Sequence, residues 1–167
     1  MRKLSLESFF LDSLKQLVRG DLSDKSFLLG VSGGSDSMCL ANLFLKSGLK
    51  FGVIHINYSL RESESDEDMN FVTTWANNHD IECFVKVVDT AFILSNQGGN
   101  VQQMARDFRY SFFEETRLKY HFDFICTAHH ASDWLETVIF NVLRGGFLQA
   151  LIGIPAINVA SFLPPSN

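Results

Sequence analysis

A chain of 167 residues with 46% hydrophobic and 20% charged residues is long enough for one domain with a real core, and too apolar to stay disordered. Its formal charge of −5 argues against a surface that binds nucleic acid all over, although a local basic patch is compatible with it. Cys39, Cys83 and Cys126 are odd in number, widely spaced and without a CxxC pair, which argues against a disulfide framework or a structural zinc site; buried packing is the expectation for each.

The first twenty residues set Glu7 and Asp12 among Leu4, Phe9, Phe10, Leu14, Leu17 and Val18, the pattern of an amphipathic helix rather than of a signal sequence with an unbroken apolar centre. The cytosol follows as the default compartment. Residues 26–31 form the first expected strand, continuously apolar as in a parallel sheet covered on both faces. A helix over 37–47 stops at Ser47-Gly48. Strand two is expected over 50–57, KFGVIHIN. The acidic run Arg61 to Asp68 then leads into Met69, Phe71, Val72, Trp75 and Ala76 at helical spacing. Acidic residues suit the positive end of a helix, and a solvated helix start is the plain reading of that run.

Ile81, Cys83, Val85 and Val87 alternate as strand three, and a loop from Asp89 to Asn100 leads into a long helix over about 101–120. Strand four is expected from Phe122 to Cys126, followed by Thr127-Ala128-His129-His130. A last helix begins near Ser132, carries Leu135, Val138, Ile139, Val142 and Leu143 on one face, and closes at Arg144-Gly145-Gly146. From Phe147 to Leu163 the chain is apolar but short, and Gln149, Pro155 and Asn158 interrupt it, so no membrane span is expected.

Strands and helices alternating at these lengths predict an α/β fold with a doubly wound, mainly parallel sheet. Such sheets bind ligands beyond the carboxyl ends of their strands, where strand order reverses. That edge collects Ser32 to Ser37 after strand one, His55 and Asn57 at the end of strand two, and His129 and His130 after strand four.

SGGSDS, Ser32 to Ser37, carries the chemistry. Gly33 and Gly34 lack Cβ atoms where the chain turns, so the backbone can approach a bound group closely. Ser35, Asp36 and Ser37 can cap the following helix, whose free N–H groups and dipole favour an anion. A Walker A loop is excluded because no lysine lies between Lys25 and Lys46, and GxGxxG is absent. SGGxDS after a buried strand resembles the PP-loop of the ATP pyrophosphatases, which split ATP into an adenylated intermediate and pyrophosphate. A Gly-Ser turn with an ordinary N-cap is the alternative.

More than the loop carries a resemblance. HINYSLRES, His55 to Ser63, resembles the HxxHxLRxxS stretch of the tRNA(Ile)-lysidine synthetases, and QQMARDFRY, Gln102 to Tyr110, their ExARxxRY helix. TAHHASDWLET, Thr127 to Thr137, resembles their TAHHxxDQxET, and RGGFLQALIGIP, Arg144 to Pro155, is similar to the glycine-rich loop that follows. The motifs run in the family's order over about residues 30 to 155. The resemblance implies an adenine nucleotide alpha hydrolase-like domain over 1–155, with the N-terminal helix in 1–20.

It also implies a reaction. ATP adenylates C2 of the wobble cytidine 34 of an isoleucine tRNA with a CAU anticodon, pyrophosphate leaves, and the ε-amine of free L-lysine then displaces AMP. Residues carried over from the motifs are Ser32, Gly33, Gly34, Ser35, Asp36 and Ser37 with His55, Asn57 and His129 for ATP. Asp36 is also assigned to magnesium, Asp36, Arg106 and Arg109 to catalysis, and Asp133 and Glu136 to lysine. Capping of a helix start would explain the two acids, and pairing with Asp107 or Glu114 the two arginines. His55 and Asn57 also read as a polar strand end.

Some positions depart from the family pattern. Ser132 and Trp134 stand where Asp and Gln are frequent, Asn57-Tyr58 replaces a pair that more usually ends in His, and Gln102 replaces Glu. The tail from Ala156 to Asn167 has no basic residue, where family members continue into domains that hold tRNA. Truncation ahead of such domains is the expectation, with natural loss as the alternative. A fragment of that kind is expected to bind ATP and magnesium but to modify tRNA poorly. The rival activities are another PP-loop pyrophosphatase, such as a tRNA 2-thiolation enzyme or an amide-forming synthetase, and a catalytically silent nucleotide-binding module. The sequence leaves the oligomeric state open, a homodimer among the options.

Overall fold

Ser26–Gly30 form β1, and the apolar run that predicts it puts it at the centre of the sheet, with Phe27, Leu28 and Leu29 fully buried. A computed structural model of the chain describes residues 5–58, 62–88 and 101–128. Around β1 the remaining elements are α1 (Leu6–Val18), α2 (Ser35–Lys46), β2 (Lys50–Asn57), α3 (Glu62–Asn78), β3 (Cys83–Val87), α4 (Val101–Lys119) and β4 (Phe124–Thr127). The four strands pair in parallel in the order β3-β2-β1-β4, with Phe27 opposite both Phe51 and Phe124. The alternating α/β fold expected from the sequence is therefore the one observed.

Strand alternation splits the core into two layers. Phe27, Leu29 and Val31 pack against Met38, Ala41 and Phe44 of α2, with Val72 of α3 and Leu14 of α1 in the same cluster. Leu28 and Ile54 point the other way, onto Phe113 of α4 and Phe122. Topology accounts for this. Two successive right-handed crossovers, β1 to β2 to β3, place α2 and α3 on one face, and the return from β3 to β4 puts α4 on the opposite one. Strand order thus reverses between β1 and β4.

Local chemistry sets the ends of the elements. The Ser5 hydroxyl caps α1 by accepting from the N–H of Ser8. At the end of α2, Gly48 takes φ +64°, its N–H donates to the Leu45 carbonyl, and the Leu49 N–H donates to the Phe44 carbonyl, which is a Schellman ending.

Two expectations, on strand four and on Cys39, need correction. Strand four starts at Phe124 rather than Phe122: His121 turns into the left-handed region at φ 59°, and Asp123 is held by Ser26, so only Phe124 onward pairs with β1. Val85 and Val87 alternate as expected, but β3 lies at the end of the strand order and both are exposed. Cys39 is exposed rather than buried, because Ser37, Met38, Ala41 and Phe44 form the inner face of α2. Cys83 and Cys126 are half-buried; burial raises the Cys83 thiol and pushes that of Cys126 up to about 12. The expected helix from Ser132, the glycine-rich loop after it and the tail from Ala156 lie outside the described residues.

Candidate active site at the carboxyl edge of the sheet

The ladder between β1 and β2 continues one residue past β1, where the N–H of Val31 donates to the Ile54 carbonyl at 3.0 Å, and then the chain leaves the sheet. Gly33 turns at φ +96°, and Gly34 returns to extended geometry as the N-cap of α2. The loop is tied by two hydroxyls. Ser37 Oγ donates to the Gly34 carbonyl at 2.8 Å and accepts from the Ser32 N–H at 3.2 Å. Because Ser37 has one proton and gives it to Gly34, the 3.2 Å contact between the two hydroxyls takes its proton from Ser32. Both hydroxyls are thus engaged within the loop, and they set its shape.

No side chain caps α2 at Gly34, so the backbone N–H groups of its first turn and the positive end of its dipole face the carboxyl edge. Asp36 lies in that turn, exposed. Ser32, Gly33, Gly34, Ser35, Asp36 and Ser37 therefore form one continuous bend at the top of the central strand.

His55 and Asn57 occupy the same layer of β2 but are buried, at 3% and 2% exposure, so they are not solvated strand-end residues. His55 Nδ1 donates to the Val31 carbonyl at 2.8 Å, directly behind the loop. A carbonyl accepts only, so the proton sits on Nδ1; Nε2 is buried with no partner among the described residues. Asn57 Nδ2 donates to Asp66 of α3 at 2.8 Å and contacts Met69 Sδ at 3.8 Å. The acidic start of α3 is therefore more than a solvated turn. Asp68 lies against Gly33: a Cβ at that glycine would be 2.8 Å from Asp68 Oδ1.

The opposite layer brings α4 to the edge. A Cβ on Gly30 would fall 2.7 Å from the Phe113 ring, so α4 packs directly on the end of β1. Arg109 is one turn before Phe113 on the same helix face and so lies nearer the carboxyl edge. Its Nε donates to Tyr58 Oη at 3.3 Å, and its guanidinium lies 5.9 Å from the Tyr58 ring centre. Arg106 is exposed, with its guanidinium 5.3 Å from the Tyr110 ring centre. Glu114, which the sequence offered as a partner for these arginines, instead clamps Arg117 through two contacts of 2.7 Å.

Sequence reasoning assigned no role to Tyr58, Asp66 or Asp68. Tyr58 stood out only as a departure from a motif, and the acidic run matched a helix start equally well. His129, Asp133 and Glu136 lie outside the described residues.

A glycine bend on the central parallel strand, an uncapped helix start behind it and the reversal of strand order beside it define an α/β domain built to hold a nucleotide phosphate group. The model of the PP-loop domain family matches residues 6–164, and the chain belongs to that family of ATP-using domains. Similar curated proteins are the tRNA(Ile)-lysidine synthases of Clostridium tetani (strain Massachusetts / E88), 32% identical over 142 residues, and of Clostridium perfringens (strain 13 / Type A), 36% identical over 147. Those alignments cover 83% and 86% of this chain but 30% and 31% of the relatives, so the chain spans about a third of their length. Among solved structures, the NMN synthetase of Francisella tularensis matches with a TM-score of 0.57 at 18% identity, over 80% of this chain and 56% of that one. The NH3-dependent NAD synthetase of Campylobacter jejuni subsp. jejuni NCTC 11168 matches with the same score and identity, over 80% and 58%. At that identity the two structures share the fold. Among the described residues no helix is long and apolar enough to cross a membrane.

Proposed function

We propose that this chain is the ATP-binding and adenylating part of a tRNA(Ile)-lysidine synthetase. The observation that carries the reading is the Ser32–Ser37 bend at the carboxyl end of β1, in a chain similar over four-fifths of its length to proteins of that name. In the proposed reaction the C2 oxygen of cytidine 34 attacks the α-phosphorus of ATP and pyrophosphate leaves. The ε-amine of lysine then attacks C2, loses a proton, and AMP departs with the oxygen.

The proposed roles combine the positions of the described residues with the motifs of the sequence. Backbone N–H groups at the start of α2 bind phosphate oxygens in place of water, and nucleotidyl transfer depends chiefly on such positioning and on charge neutralisation. A polyphosphate approaching Gly33 meets the Asp68 carboxylate beside it, so ATP is taken as its magnesium complex, with Asp36 in the first turn of α2 as the carboxylate that would help hold the ion. Magnesium keeps several waters and needs only one or two carboxylates, so a single aspartate fits it. Arg109, with Arg106 one turn away, supplies positive charge from the other face of the sheet. His55 buttresses the loop from behind through the Val31 carbonyl, Asn57 ties the end of β2 to α3 through Asp66, and both are assigned with His129 to the nucleotide side. Asp133 and Glu136, three residues apart, hold the lysine ammonium.

The test is transfer of radiolabelled lysine to an isoleucine tRNA with a CAU anticodon, run beside the same tRNA carrying uridine at position 34. Slow incorporation with the first and none with the second is expected, slow because the chain spans about a third of the length of its relatives. Pyrophosphate release indifferent to nucleotide 34 would assign the chain to another PP-loop activity, and ATP binding with no release in either case to a silent nucleotide module.

A further inference from the structure

The two layers of the sheet contribute unlike groups to the carboxyl edge, and one side chain bridges from the end of a strand to a helix. Tyr58 is the first residue after β2 and continues the alternation of Ile54 and Ile56 toward α4. Its hydroxyl donates to the Ala105 carbonyl at 3.1 Å and accepts from Arg109 Nε at 3.3 Å. A phenol has one proton, so with Ala105 taking it the oxygen can face Arg109 only as an acceptor. The guanidinium carbon lies 5.9 Å from the centre of the Tyr58 ring.

We propose that Tyr58 is the positioning residue for Arg109: it occupies Nε through its hydroxyl, and so directs the two Nη groups toward the carboxyl edge. Those Nη groups form no hydrogen bond with the described residues, whereas the neighbouring Arg106 is exposed and contacts only the ring of Tyr110 among them. The chemistry this arrangement takes is an oxyanion of the nucleotide's phosphate chain, bound end-on by the two outer nitrogens. A long side chain held at Nε loses less freedom on binding than a loose one, which is what a positioning residue supplies. The inference rests on the proposed ATP-binding reading and deepens it by separating Arg109, which is held, from Arg106, which is not held by β2.

The experiment is calorimetric titration of the chain with ATP in magnesium, and with adenosine by competition. It compares wild type, Tyr58→Phe, Arg109→Ala and the double variant. Phenylalanine keeps the ring and its packing and removes only the hydroxyl. Expected are a loss of about fivefold to tenfold in ATP affinity for Tyr58→Phe, unchanged adenosine affinity, and no further loss when Tyr58→Phe is added to Arg109→Ala. An unchanged ATP affinity in Tyr58→Phe, an equal loss for adenosine, or the same loss in the Arg109→Ala background would overturn the assignment. Wild type that fails to bind ATP would overturn the nucleotide reading and this inference with it, an outcome visible before any variant is compared.

Discussion

Gly33 and Asp68 meet where the loop after β1 passes the first turns of α3: a Cβ on Gly33 would sit 2.8 Å from Oδ1 and 3.0 Å from Cγ of the aspartate. The φ of +96° at Gly33 is itself closed to most side chains. Gly33→Ala therefore meets two penalties, a backbone strain of about 1–3 kcal/mol and a steric one. Urea unfolding separates them. Asp68→Ala alone, at an exposed position, changes stability by less than about 0.5 kcal/mol. Added to Gly33→Ala, it returns only the steric share. Full recovery in the double variant would mean that the backbone at Gly33 is not strained.

Gly30 makes the matching contact on the other layer, where a Cβ would lie 2.7 Å from the Phe113 ring and 3.1 Å from Thr127 Cγ2. Both neighbours are fixed, one on a packed helix and one on a strand, so Gly30→Ala overpacks the site at about 1–3 kcal/mol. Phe113→Leu in the same molecule makes room and recovers part of that loss. Thermal unfolding of the two single variants and the pair checks it.

Asp123 ties the start of β4 to the start of β1. The Ser26 N–H donates to its carboxylate at 2.8 Å and the Ser26 hydroxyl at 3.0 Å. The backbone bond holds the acid below its ordinary value, burial opposes it, and the hydroxyl adds to the lowering. A carboxylate lowered in the folded state stabilises fully above its unfolded value, near pH 4, and that contribution disappears as pH falls through the folded value. Asp123→Asn is thus less stable than wild type at pH 7, and the difference shrinks in acid. Urea midpoints for both proteins at pH 7 and pH 3 test this, and a gap that stays constant would contradict it.

The three thiols differ in access. Cys39 is exposed on α2, Cys83 is half-buried, and burial holds the Cys126 thiol up to about 12. At pH 8 such a group has on the order of one thiolate in ten thousand. Iodoacetamide followed by peptide mass spectrometry is expected to find Cys39 alkylated first and Cys126 last.

Features set by local chemistry were legible in the sequence. The apolar run at Phe27 to Leu29 gave away a central strand, and Gly48 gave away the end of α2, because burial on two faces and a left-handed ending each restrict residue choice strongly. The bend at Ser32 to Ser37 was legible for the same reason. Contacts between distant segments were not. The acidic run ahead of Met69 fits any helix start, and nothing in it says that Asp66 holds Asn57 or that Asp68 lies on Gly33. Strand four was placed two residues early because Phe122 is apolar, while its start is decided by the bond between Asp123 and Ser26 across 97 residues. Cys39 was expected to be buried from residue type alone, and its place on the outer side of α2 follows only once Met38 and Ala41 fix the inner one.

The central claim is that the bend after β1 holds the phosphates of ATP. The direct measurement is a titration of the nitrogen-15-labelled chain with a nonhydrolysable ATP analogue in magnesium, following the amide resonances. The account predicts that the amides of Gly33 through Ser37 shift together and saturate, while those of Gly20 and Gly48, remote from the carboxyl edge, stay in place. Saturating shifts elsewhere with these five amides unmoved, or no shifts at millimolar nucleotide, would contradict it.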